Sequence, residues 1–251
     1  MQTTAIGTVA NSLPGNEVIL LTLLISKGYI LFAELINNSL QDQYNPVSFY
    51  QKLRIKKRLH IASNEIILLF VGRLHTIKGL KLLINAFKIA LKQESKLRLF
   101  IVGNGTYDEW LSIAKPVWSK ISFTGYLTSK ELLQLYSIAD IGLIPSIHEE
   151  FGLVALEMMM HELPIVATAT SGLNEVVDES CGLKVPLIVS PDSVEIDTSL
   201  LAQKIVYLLQ NPKEAKRLGK NGRKRYLEKY SSEVFGKNMI AFYKSLFQEC
   251  K

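Results

Sequence analysis

Cysteine is scarce in this chain: only Cys181 and Cys250 occur in 251 residues, and their separation matches no metal or redox spacing. A disulfide-built scaffold is therefore excluded, and a reducing, cytoplasmic setting is the simplest expectation. No Asp-x-Asp sequence occurs, and the four histidines, His60, His75, His148 and His161, form no cluster with metal-ligand spacing. The first residues lack the basic-then-apolar order of a secretory leader. Long apolar runs are missing as well. Val18 to Ile36 is broken by Lys27, Gly28 and Glu34, and its clean part ends near Ile25, short of the roughly 20 residues a bilayer span needs. That run reads as a buried strand. No internal repeat and no low-complexity tract is present.

Positive charge is in excess. The chain has 29 Lys and Arg against 23 Asp and Glu, a formal net charge of +6, while 48% of its residues are hydrophobic, enough for a sizeable core. The surplus sits in Lys52-Leu53-Arg54-Ile55-Lys56-Lys57-Arg58 and between Lys213 and Lys229, where Lys216, Arg217, Lys220, Arg223, Lys224 and Arg225 share a helix-like stretch. A solvated helix face accounts for this first, and peripheral contact with an anionic membrane at its inner face second. Nucleic acid comes last, because no stacking platform or recognition motif accompanies the charge.

From Glu65 onward, strand-like and helix-like segments alternate. Apolar runs at 66–71, 97–102, 121–124, 141–144, 164–168 and 182–185 read as strands. The segments 78–91, 106–114 and 129–138 have helical spacing, as do 200–209, 212–230 and 234–247 in the tail. Continuous apolar strands separated by helices predict an α/β fold, a Rossmann-like parallel sheet with helices on both faces. Ligands in such sheets bind at the carboxyl ends of the strands, where Arg73, Gly103, Gly125 and Ser146 fall.

The most informative stretch is His148-Glu149-Glu150-Phe151-Gly152-Leu153-Val154-Ala155-Leu156-Glu157. A helix opening at Gly152 aims free N–H groups and the positive end of its dipole at whatever precedes it. Glu149 then stands at the mouth of an anion site, with Glu157 inside the helix. N–H donors suit phosphate, and carboxylates suit sugar hydroxyls. An amphipathic helix carrying two solvated glutamates is the plain alternative.

With Val71-Gly72-Arg73-Leu74, Lys78-Gly79 and Gly172-Leu173-Asn174-Glu175, this stretch resembles the donor-binding half of retaining family 4 glycosyltransferases, the glycosyl transferases group 1 of GT-B type. The resemblance runs from about Asn37 to the C-terminus, and the seven residues between Glu149 and Glu157 match the family signature. It implies that Arg73 and Lys78 reach the diphosphate of a UDP- or GDP-sugar, with Glu149 beside the transferred sugar as a third catalytic group. Gly72, Gly103 and the N–H groups of Phe151, Gly152 and Leu153 then approach the donor. Glu157 accepts ribose hydroxyls, and Tyr126 and Leu127 meet the base. Metal-independent chemistry is expected, with no cofactor besides the donor itself. Glu175 is a second-rank candidate in a loop where Ser171 replaces a family glycine, and His148 is not read as a base.

The resemblance also implies domains. Residues 1–40 are expected to be a remnant of the N-terminal acceptor domain, with Val18-Leu24 and Ile36-Asn37-Asn38-Ser39 as its last strand and exit. A linker at 41–64 and the donor domain at 65–232 follow, and a helix at 233–251 crosses back to the N-terminal domain. The function implied is sugar transfer from a UDP or GDP donor to a glycan or lipid-linked acceptor. The alternative is a non-catalytic nucleotide-sugar-binding fragment, or a subunit whose partner supplies the acceptor half. A nucleotide-sugar epimerase of similar architecture ranks third. An exposed apolar face on the tail helix is expected to favour self-association or a partner subunit.

Overall fold

The computed structural model describes residues 6–13, 16–25, 28–33, 38–191 and 193–249. The end of the first apolar run at 34–37 and Cys250 lie outside the described residues. Strands β1 (Ile6–Leu13), β2 (Asn16–Ile25) and β3 (Gly28–Ala33) form an antiparallel meander in that order. The apolar run read as a strand falls on β2.

Helix α1 (Phe49–Arg58) lies within the segment read as a linker. It opens with a capping box in which Ser48 and Gln51 satisfy each other's backbone N–H groups. It buries no residue completely, which is why no apolar periodicity announced it. Phe49 and Tyr50 are 70% and 74% exposed.

The main sheet follows. Strand β4 (Ile66–Val71) leads to α2 (Leu80–Leu91), and β5 (Leu97–Val102) to α3 (Asp108–Ala114). Strand β6 (Ile121–Gly125) precedes α4 (Ser129–Ile138), and β7 (Ile141–Ile144) precedes α5 (Leu153–Met160). Strand β8 (Ile165–Thr168), α6 (Ser171–Val176) and β9 (Gly182–Val185) complete it. A small hairpin, β10 (Leu187–Val189) and β11 (Val194–Ile196), leads to α7 (Thr198–Gln210), α8 (Pro212–Arg225) and α9 (Ser232–Glu249).

All six main strands pair in parallel, in the order β6-β5-β4-β7-β8-β9. Side chains alternate between faces along a strand. Leu68 and Phe70 of β4 thus join a core with α2 and α7, while Ile67 and Leu69 join another with α4 and α5. This is the expected sheet covered on both faces. The chain runs outward from β4 to β6, then returns to β7, so the strand order reverses between β4 and β7. Such a switch point leaves a crevice at the strands' carboxyl ends.

The segment after residue 38 is strapped to the far end of the domain. Arg223 donates to both Asp42 carboxylate oxygens at 2.8 and 2.6 Å, and the Tyr226 hydroxyl donates to the Leu40 carbonyl at 2.7 Å. The Arg223 bond holds the Asp42 carboxyl below its ordinary range, against the opposing effect of burial. Helix α9 leaves Ile240 and Tyr243 57% and 40% exposed. Among the described residues no helix is long and apolar enough to cross a membrane.

Helix α5 ends in a Schellman motif: Leu163 N–H bonds the Met158 carbonyl at 3.0 Å, and Glu162 N–H the Met159 carbonyl at 3.1 Å. Glu162 must therefore adopt φ 57°, a conformation that costs a side-chain-bearing residue about 1–2 kcal/mol. Glu162→Gly removes that strain but gives the unfolded chain more freedom, so a net gain of about 0.5–1 kcal/mol is expected. Urea unfolding midpoints of the two proteins check it, and a destabilised variant would show that the carboxylate contributes more than the strain costs.

Candidate functional site

A cavity of about 190 Å³ occupies the switch point. Its walls come from the ends of β4 and β7 and from the loop before α5, including Gly72, Lys78, Glu149, Phe151, Gly152 and Leu153. Each of these was predicted from the sequence, and the fold gathers them into one place. Arg73 follows Gly72 directly, is exposed, and has no side-chain partner among the described residues.

The geometry at Lys78 and Glu149 explains how two distant loops meet. Lys78 ends a 3₁₀ turn at 76–78, and Gly79 behind it has φ 69°. A Cβ built on Gly79 would stand 1.8 Å from the Pro145 carbonyl oxygen. Only glycine permits both that conformation and that approach. The Ile147 N–H then bonds the Ile77 carbonyl at 2.8 Å, pinning the loop after β7 to the turn before α2. Lys78 Nζ consequently reaches Glu149 Oε2 at 2.6 Å, with both side chains largely buried.

Ser146 and Thr168 belong to the same construction. Ser146, 1% exposed, donates through Oγ to Glu149 Oε2 at 3.2 Å. The buried Thr168 hydroxyl donates to the Ser146 carbonyl in turn. Neither residue had a motif to mark it, although Ser146 lies three positions before Glu149.

Gly152 caps α5 at φ 100°, a value open to glycine and rare elsewhere. The helix therefore starts abruptly. The N–H groups of Phe151, Gly152 and Leu153 have no backbone acceptor among the described residues, and Leu153 is 45% exposed. The cavity combines one lysine shared with a carboxylate and a helix amino terminus, and the exposed Arg73 follows directly on its lining residue Gly72. Such a site favours an anion.

The other predicted residues lie along the same carboxyl edge, apart from Glu157. Gly103 ends β5 beside Gly72, its N–H bonding the Gly125 carbonyl at 3.0 Å. Tyr126, 75% exposed, and Leu127 follow β6. Glu157 does not line the cavity. It sits farther along α5, where its Oε2 accepts the Tyr136 hydroxyl at 2.6 Å. Burial raises the Glu157 carboxyl above its ordinary range, and the Tyr136 bond opposes that rise. Burial and the neighbouring Glu157 carboxylate drive the Tyr136 hydroxyl well upward. The 21 positions separating this pair left no signal in the sequence. Glu175 turns out to serve through its backbone, its carbonyl accepting from Arg225 Nη2 at 2.6 Å. Among the described residues no group of three His, Cys, Asp or Glu side chains is placed to hold a metal ion.

His161 stacks on the Tyr136 ring, centroids 5.0 Å apart and planes 10° from parallel. Burial, helped by the Arg223 charge and opposed by Asp42, lowers its pKa to about 4. An unfolded histidine titrates near 6.5, so between pH 6.5 and 4 the unfolded chain binds the extra proton. Stability from this residue is complete above pH 6.5 and is lost as pH falls toward 4, by about 3 kcal/mol in all. In His161→Phe, which retains an aromatic stack, that part of the acid loss should vanish. Urea midpoints at pH 7 and 5 measure it, and an unchanged pH dependence would contradict the assignment.

The glycosyl transferases group 1 family model matches residues 51–225, most of the chain and all of the cavity's walls after α1 begins. The chain belongs to the glycosyl transferases group 1 family. An uncharacterized glycosyltransferase of Methanocaldococcus jannaschii is 30% identical over 201 residues, which cover 79% of this chain and 50% of that protein. Sucrose-phosphate synthase of Thermosynechococcus elongatus superposes with a TM-score of 0.70 at 30% identity, over 86% of this chain and 53% of that one. Anabaena HepE, solved with UDP-glucose, shares the fold with a TM-score of 0.70 at 18% identity, over 84% and 57% of the respective chains. The chain spans about half the length of the curated relatives it matches.

Proposed function

We propose that this chain binds a UDP- or GDP-sugar at the switch-point cavity and supplies the donor side of a retaining glycosyl transfer. The observation that carries the reading is the convergence of Lys78, Glu149 and the open amino terminus of α5 on one cavity. That Anabaena HepE was solved with UDP-glucose supports a nucleotide-sugar donor.

In this reading the donor diphosphate lies across the N–H groups of Phe151, Gly152 and Leu153, between Arg73 and Lys78. The bond from the sugar's anomeric carbon to the diphosphate breaks, and its electron pair leaves on the phosphate oxygen. Arg73 and Lys78 stabilise the charge that grows there. Glu149, released from Lys78, orients the sugar's hydroxyls. The acceptor oxygen, from a glycan or a lipid-linked glycan, bonds to the same face of that carbon, and its proton passes to the departing phosphate. The ribose extends beyond the cavity along α5 to Glu157, which Tyr136 orients and which accepts its hydroxyls, and the backbone at Tyr126 and Leu127 meets the base.

Incubation with UDP-glucose or GDP-mannose and an octyl glycoside acceptor tests this. The expected product keeps the donor's α configuration, read from the one-bond C–H coupling at the anomeric carbon, and a β-linked product would overturn the retaining mechanism. Donor binding with no transfer would favour the other reading, a donor-binding module whose acceptor half comes from a partner.

A further inference from the structure

At the opposite end of the sheet, where β7 and β8 begin, lies a second and larger cavity of about 290 Å³. Tyr136 and His161 contribute to its floor; Asn45, Lys52, Asp140 and Lys216 stand around it, with Glu162 beside them. The two basic stretches of the sequence meet here, each through one lysine. Asp140 and Glu162 offset both charges, and the imidazole is neutral down to about pH 4. The lining therefore carries no net charge to attract an ion.

What the lining offers is paired hydrogen-bonding capacity. The lysines and the Asn45 amide donate, the carboxylates accept, and a neutral imidazole does one of each. Hydroxyl groups, each donor and acceptor at once, complement that set. His161 is 8% exposed, yet neither of its ring nitrogens has a hydrogen-bond partner among the described residues. Leaving such a group unpaired carries a desolvation cost, which a bound hydroxyl would recover. The Tyr44 ring stands edge-on to the imidazole at 5.6 Å and screens it, so that ring must turn for a hydroxyl to reach the nitrogens. The volume lies just below the range of drug-sized ligand sites, about 300–1,000 Å³, as suits a single small unit.

We infer that this cavity is a second binding site, for a neutral saccharide unit, remote from the donor cavity. The stack of His161 on Tyr136, whose hydroxyl holds Glu157, ties this cavity to α5, the helix whose amino terminus opens on the donor cavity. The inference does not depend on the donor reading, because its occupant and its walls are different.

Amide chemical shifts of the full 251-residue chain should be followed during titration with methyl α-glucoside, methyl α-mannoside, N-acetylglucosamine and, separately, potassium phosphate. A parallel series uses Ser137→Trp, which fills the cavity from the last turn of α4. The expected result is saturable shifts at residues 44–52, 136–140 and 161–164 with at least one sugar. In the folded variant the affinity should fall at least tenfold while UDP binding is unchanged. A maltose titration separates a free monosaccharide from the end unit of a glycan, since only the latter favours the longer ligand. No saturable shift there with any sugar, a response to phosphate alone, or sugar shifts that survive Ser137→Trp would each overturn the proposal.

Discussion

The double variant Arg73→Ala/Lys78→Ala is expected to lose about 100-fold in affinity for a nucleoside diphosphate, roughly 2.7 kcal/mol. Any transfer rate should fall by about 10²–10³, the usual cost of removing preorganised groups that stabilise developing charge. The two residues contribute differently. Arg73 has no side-chain partner among the described residues, so its removal breaks nothing in the resting protein. Lys78 is held at 2.6 Å from Glu149. Removing it alone leaves a largely buried carboxylate facing the diphosphate, and repulsion adds to the lost attraction. Lys78→Ala should therefore cost more than Arg73→Ala, and adding Glu149→Gln to Lys78→Ala should recover part of the loss. Equilibrium dialysis with labelled nucleotide measures the four variants beside the parent protein. Affinities within about threefold of one another, under 0.7 kcal/mol, would remove both cations from the site.

Gly79→Ala is expected to destabilise the domain by at least about 3 kcal/mol, by combining a positive φ with a backbone clash. The Cβ would lie 1.8 Å from the Pro145 oxygen, at φ 69°. Relief requires the turn carrying Lys78 to move away from the loop carrying Glu149, which also breaks the Ile147–Ile77 bond. The melting temperature should fall by about 6–12 °C, given roughly 2–4 °C per kcal/mol for a domain of this size. Nucleotide affinity should fall with it, even well below the melting range. A variant that melts within about 2 °C of the parent would mean that the two loops approach less closely than described. Gly236→Ala is the control, because a side chain there would meet nothing within 4 Å.

Most of the sheet was legible because its strands are buried on both faces. Runs such as Ile66–Val71 and Leu97–Val102 can be placed from apolarity alone. Helix α1 was not legible, since it buries no residue fully and is rich in lysine and arginine. The hairpin β10–β11 and the short α6 likewise escaped, being too brief for any period to register. The site divides in the same way. Glu149, Phe151 and Gly152 stand together in the sequence and therefore announced themselves, with Lys78-Gly79 as a second mark. The Lys78–Glu149 ion pair spans 71 positions and depends on one close approach at Gly79. Tyr136 and His161 had no motif at all. Their roles come from packing between α4 and the end of α5, which only the fold specifies.

If the switch-point cavity forms a working donor site within this chain, the chain binds a nucleotide without help from any other protein. Calorimetric titration of the folded chain with UDP and with GDP tests it most directly. Saturable one-site binding is expected, stronger for one base than for the other. Absence of binding to either nucleotide would contradict it.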